Sequence, residues 1–205
     1  MIRVHHLDHS RSTRVLWMLE EIGEPYELVT YRRQKNLLAP PELRKIHPLG
    51  KSPVVEVDGT ILAESGAILD ALAEQYGRLV PARGTPAYTR YRYFLHYAEG
   101  SLMPYLLLSL VIKKLGPLGF PARSYVSGQL GHHLDFLEGE VGDAWLCGPE
   151  LTAADIQMSY PLEAAVGRAG LSSSRPKLLA YLERIRARPA YRRAIEKGGP
   201  VALGT

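Results

Sequence analysis

Apolar residues alternate with polar ones in short runs over the first third of the chain, and then recur at helical spacing to its end. IRVHHL, residues 2–7, predicts a strand. Residues 12–22 place Val15, Met18, Leu19 and Ile22 on one face of a helix that Gly23 and Pro25 stop. A second strand is predicted over Tyr26 to Tyr31, and APPELRKIHP, residues 39–48, predicts a short helix opened at Pro41 and closed before Pro48. VVEV at 54–57 and TILA at 60–63 flank Asp58-Gly59, a two-residue hairpin signal. Ile68, Leu72 and Tyr76 then mark a helix ended by Gly77. The predicted order is β-α-β-α-β-β-α.

Beyond residue 77 the pattern changes. RLVPARGTP is rich in Pro and Gly and reads as a linker over 78–86. From there no stretch alternates, and helices are predicted at 87–115, 122–142, 153–168 and 176–187, with a short one after Pro189. The fold class is therefore α+β: an α/β domain over 1–77, then an all-helical bundle over 87–205. LTAADI carries a capping-box variant, Thr152 as N-cap and Asp155 three residues on, assigned to folding.

Composition narrows the function classes. With 205 residues and 46% hydrophobic content the chain has enough apolar surface for a core. The net charge of +4 is spread among interleaved acids, so a nucleic-acid partner is not expected, and the basic run from Arg175 to Lys197 reads as a solvated helix face. A single cysteine, Cys147, excludes an internal disulfide and a CxxC pair. No apolar run approaches 18 residues and the first residues lack a signal-peptide core, so no membrane partner and a cytoplasmic location are expected. His5-His6 and His132-His133 lack metal-ligand spacing with acidic companions, so no metal is expected and these histidines read as ordinary residues.

DHSRSTRVLW, HPLGKSPVVEVDG, LAESGAIL and GPELTAADI together resemble the cytosolic glutathione S-transferases, closest to a bacterial and fungal subgroup of the serine type. The resemblance implies a thioredoxin-like first domain, glutathione as co-substrate without a metal or organic cofactor, a small hydrophobic electrophile as second substrate, and a homodimer. Peroxide reduction starts from the same thiolate, and a non-enzymatic binding or regulatory protein of the same fold is the alternative.

The chemistry asks for a thiol made nucleophilic. A thiol of pKa near 8.5 is only a few per cent ionised at neutrality, and lowering it by about two units takes roughly 2.7 kcal/mol. One hydroxyl hydrogen bond to the anion supplies about 1.5 to 3 kcal/mol and a helix N-terminus about 0.3 to 1 kcal/mol. A serine between the first strand and first helix meets both requirements. In the family's pattern the catalytic serine precedes an arginine by four residues, which selects Ser10 through Arg14; Ser12 is the competing candidate and the expected N-cap. No tyrosine precedes Tyr26 to replace it.

The resemblance also implies that Glu64 and Ser65 hold the γ-glutamyl end, Ser65 capping the third helix, whose amides suit a carboxylate. It implies a cis bond before Pro53 that sets the Ser52 backbone against the peptide, with Lys51 facing the glycine carboxylate. Tyr97, Met103 and Leu107, on the first long helix of the bundle, are the candidates for electrophile contact, and Glu99 for a role across a dimer interface.

Overall fold

In the computed structural model of the protein, residues 1–201 are described, and they fall into two compact units. The first contains Met1–Val80 together with residues 187–201; the second is Pro81–Arg186.

Four strands form the sheet of the first unit: β1 (Ile2–Leu7), β2 (Tyr26–Tyr31), β3 (Val54–Val57) and β4 (Thr60–Ala63), in the order β2-β1-β3-β4. β1 runs parallel to β2 and antiparallel to β3. The parallel step needs a crossover helix, and α1 (Thr13–Ile22) supplies it. β3 and β4 close through Asp58 and Gly59, both at positive φ, as a two-residue turn of this hand requires. Short α2 (Leu43–Ile46) precedes β3, and α3 (Ser65–Tyr76) follows β4, ending at Gly77 in the left-handed conformation.

α1 is buried almost all round: Val15, Leu16, Trp17, Met18 and Leu19 are each fully covered. One helix face meets the sheet; α9 (Pro189–Gly198) packs along α1 and covers the rest. Trp17 and Tyr191 meet edge to face at 5.1 Å. Glu21 binds Arg188, and Glu20 binds Arg193 and Lys197, with both carboxylates only 9% exposed. The sequence places the short helix after Pro189 in the bundle region; in the structure it belongs with the first unit. Arg188, held extended by the following proline, makes the break from α8 (Pro176–Ala187). Residues 202–205 of the expected second domain lie outside the described residues.

Among its described residues the regular elements of the second unit are helices, joined by turns and an isolated Trp145–Gly148 bridge. The stretch expected as one helix over 87–115 is interrupted: α4 (Pro86–Tyr97) passes into a π-helical segment at Ala98–Leu102 before α5 (Met103–Leu115). Pro104 is the cause, since it lacks an N–H and its ring would strike the carbonyl of Gly100 in a regular helix. A 3₁₀ turn at Gly116–Gly119 leads into α6 (Phe120–Glu140). Within Pro86–Glu140 an 18-residue window of mean hydropathy 1.3 is long and apolar enough to span a bilayer by length and composition alone.

α7 (Ala153–Arg168) lies at the centre of the unit, buried on every side along its first three turns. Asp155, fully buried, accepts hydrogen bonds from the Leu146 and Thr152 N–H groups, the Thr152 hydroxyl and the Tyr181 hydroxyl, at 2.6 to 2.8 Å. The capping box expected at Thr152 is present and extends into a four-donor node. Burial pushes the Asp155 carboxyl upward against the pull of those donors.

Candidate glutathione site

The turn from β1 into α1 gathers the hydroxyls singled out above. Ser10 and Ser12 are both buried, with their Oγ atoms 2.7 Å apart. Ser12 stands at the N-cap of α1, yet its side chain makes no capping bond. Its Oγ instead lies 2.8 Å from His6 Nδ1 and 3.3 Å from the Leu7 carbonyl. The expected capping role of Ser12 is thus corrected: a tight turn satisfies the first amides of the helix, with Arg14 N–H donating to the Arg11 carbonyl and Val15 N–H to that of Ser12. The Ser12 N–H donates to Ser10 Oγ at 3.2 Å.

His6 comes from β1, whose alternation turns Val4 and His6 to the same side. Its Nε2 is 2.7 Å from the Gly198 carbonyl at the end of α9, and burial lowers its pKa below the ordinary imidazole value. His6, expected to be an ordinary residue, has its partner 192 residues away, beyond the reach of any local pattern.

Ser65 opens α3. Glu64, not Ser65, occupies the N-cap position, so the capping role expected of Ser65 is corrected: its Oγ accepts a 2.7 Å hydrogen bond from Arg14 Nη2. That guanidinium is fully buried, and its bond to Ser65 ties the start of α3 to the first turn of α1. The sequence used Arg14 only as a spacing marker; a charged residue inside an apolar helix pattern was the available signal. Glu64 is exposed and held at φ 67°, ψ 115°, a region costly to a residue with a side chain. A helix start directs its first-turn N–H groups outward, and at α3 the buried Arg14 cation beside them adds to the attraction for a carboxylate.

Ser52 and Pro53 precede β3 and are joined by a cis peptide bond. The Ser52 hydroxyl donates to the His5 carbonyl at 3.0 Å and accepts from the Leu7 N–H at 3.2 Å, fastening this turn to β1. Lys51 is exposed. Ser10, Ser52, Glu64 and Ser65 therefore all lie on segments bound to β1 or α1 within one unit.

The electrophile candidates belong to the second unit. Tyr97 is buried, its hydroxyl 2.6 Å from His133 Nδ1, and Met103 is fully covered, whereas Leu107 is 42% exposed. A cavity of about 560 Å³ in this unit is walled by residues including Ser109, Lys113, Arg123 and Arg168, and none of those three candidates lines it. Cys147 is buried, and burial pushes its thiol up to about 11. Among the described residues no three His, Cys, Asp or Glu side chains gather as a metal site.

A parallel pair, an antiparallel hairpin, and helices on the sheet make the first unit a thioredoxin-like domain. Residues 1–74 match the family model for the glutathione S-transferase N-terminal domain. Across 100% of its length the chain is 35% identical to glutathione S-transferase 1 of Saccharomyces cerevisiae, covering 97% of that protein. It is 36% identical to glutathione S-transferase 3 of Schizosaccharomyces pombe, over 96% of this chain and 88% of the other. The solved structure of a glutathione S-transferase from Actinobacillus pleuropneumoniae superposes with a TM-score of 0.91 at 38% identity, covering 99% and 95% of the two chains. The chain belongs to the glutathione S-transferase family and is a glutathione transferase.

Proposed function

We propose that this transferase is of the serine type, with the Ser10 hydroxyl donating to the glutathione thiolate during attack on a small hydrophobic electrophile. The observation that carries the reading is the Arg14–Ser65 bond, which fastens a carboxylate-binding helix start beside the turn that holds Ser10. A tripeptide anchored by its γ-glutamyl carboxylate at Ser65 and the α3 amides, and by its ammonium at Glu64, is thereby presented to the hydroxyls of the β1–α1 turn. The Ser52 hydroxyl is spent on β1, so its backbone is the part that aligns the peptide, before Pro53. Lys51 meets the glycine carboxylate as a solvent-exposed cation.

Tyr97, Met103 and Leu107 are assigned to the electrophile side. Leu107 is the exposed member and the one available for direct contact; Tyr97 and Met103 support it from within. The active form is a homodimer in the cytoplasm. Support for the dimer comes from the apolar side chains left exposed along α5 and the turn after it, Leu108, Val111, Leu115 and Leu118. Peroxide reduction would use the same thiolate.

The test is turnover of an aromatic halide alongside ultraviolet titration of the bound thiol. Ser10→Ala is expected to cut kcat by about 10²-fold and to raise the thiol pKa by about one to two units, matching the loss of one charge-assisted hydrogen bond. An unchanged titration would remove Ser10 from this role, and retention on immobilised glutathione without turnover of any electrophile would favour the non-enzymatic alternative.

A further inference from the structure

We infer that His6 is the proton acceptor for the glutathione thiol, reached through Ser12 and Ser10. This rests on the placement of the sulfur at Ser10 and adds to it the destination of the proton.

The direction of every hydrogen in the chain follows from its ends. The Gly198 carbonyl only accepts, so His6 Nε2, 2.7 Å away, carries a hydrogen. The neutral ring has no second one, and Nδ1 is an acceptor. Ser12 Oγ, at 2.8 Å, is its donor; giving that hydrogen to the Leu7 carbonyl at 3.3 Å instead would leave a buried ring nitrogen unpaired. With the single Ser12 hydrogen committed, the 2.7 Å contact between the serines is filled by the hydrogen of Ser10. All three donors therefore point inward, from Ser10 to Ser12 to His6. In this state one Ser10 lone pair accepts from the Ser12 N–H, and the hydroxyl offers an incoming thiol its other lone pair and no hydrogen.

The resting arrangement accepts a proton as it stands. The S–H bond breaks, its electron pair staying on sulfur; the proton passes to Ser10 Oγ, that of Ser10 to Ser12 Oγ, and that of Ser12 to His6 Nδ1. Nothing is oxidised or reduced and the total charge is unchanged. The products are a thiolate, an imidazolium and a reversed chain in which Ser10 donates to sulfur. Ser10 thus becomes the thiolate donor by the same transfer that makes the thiolate. When sulfur displaces a halide, the proton held on His6 is the one released with it.

The terminus of this chain is built to close tolerances. A Cβ on Gly198 would stand 2.6 Å from Leu16 Cδ1 and 2.9 Å from His6 Cε1, so any larger residue there would have to displace the Leu16 side chain or the imidazole. Of the groups acting on the ring, burial and His9 oppose the imidazolium, while the Gly198 carbonyl and Asp8 favour it. Thr30, which pairs with His6 on β2, and Gly198, which ends α9 against the ring, do not titrate. A thiolate one hydroxyl beyond Ser12 adds the countercharge that burial alone withholds.

Ultraviolet titration of bound glutathione, with turnover across pH, tests the relay in wild type, His6→Asn, Ser12→Ala and Ser10→Ala. His6→Asn and Ser12→Ala are each expected to raise the thiol pKa by about one unit, and the double variant by no more than either alone. Their kcat should fall about tenfold near neutrality and recover toward alkaline pH, with affinity for S-methylglutathione, which has no thiol proton, within about twofold of wild type. In wild type, the ¹⁵N spectrum of the His6 ring should change from neutral to imidazolium on binding glutathione and stay neutral with S-methylglutathione. A shift in Ser10→Ala alone overturns the relay and leaves Ser10 as donor; no shift in any variant overturns the Ser10 assignment itself. A loss equal at every pH, with weakened S-methylglutathione binding, would make His6 merely a pin for α9. Ser12→Ala, which leaves the His6–Gly198 bond intact, decides the matter if His6→Asn does not fold.

Discussion

The buried imidazole of His6 couples stability to pH. Its folded pKa lies below the ordinary 6.5, so the unfolded chain binds more protons in the interval between the two values. The stability it contributes is complete above 6.5 and is lost as pH falls from there toward the folded value, at up to about 1.4 kcal/mol per pH unit. Burial acts on His5 and His133 in the same direction. Urea midpoints should therefore decline on acidification through this interval, and His6→Asn should flatten the decline. A second expectation concerns Ser65, whose partner is a cation and whose ligand is a carboxylate remote from sulfur. Ser65→Ala should weaken glutathione binding by about tenfold while leaving the thiol pKa in place, measured by calorimetry and ultraviolet titration. Collapse of turnover at unchanged affinity would contradict that assignment. Ser10 became a candidate through the family resemblance, whose motif sets a serine four residues before an arginine, here Arg14. The Ser12–His6 contact was not legible, because a serine before a helix looks the same whether it caps the helix or bonds to a strand.

Elements were legible wherever one local rule governed them. The strands and the Asp58-Gly59 turn follow from alternation and from residues that tolerate positive φ. The π-helical break between α4 and α5 was not read, although Pro104 announces it, because apolar periodicity continues through the interruption. α7 owes its position to Asp155, whose node joins the start of the helix to Leu146 and to Tyr181 of α8. Asp155→Ala leaves two N–H groups and the Tyr181 hydroxyl buried without acceptors, each costing about 1 to 3 kcal/mol. A loss of at least about 3 kcal/mol in urea unfolding is expected, and a change below 1 kcal/mol would show that the node is redundant.

At the scale of the molecule, the chain leaves its first unit at Val80 and re-enters it at Ala187. Nothing in the short, mostly polar α9 announces this, since its destination is set by contacts with residues some 170 positions earlier. Truncation after Arg186 would uncover Trp17 and Leu16 and remove the Gly198 carbonyl from His6. The truncated protein is expected to lose glutathione binding and to unfold at lower urea concentration, with helical signal from the second unit outlasting that of the first. Circular dichroism against denaturant checks this, and unchanged binding would show that α9 is dispensable.

The edge-to-face pair of Trp17 with Tyr191 gives the protein a built-in optical label. The two tryptophans are divided between the units: Trp17 is sealed beneath α9, and Trp145, in the other, meets Tyr181 edge to face with the Arg184 guanidinium over its ring. Trp145→Phe leaves an emission that reports on the docking of α9 alone, and Trp17→Phe one that follows the helical unit. The melting of each half is thereby separable in a single cuvette, without any dye.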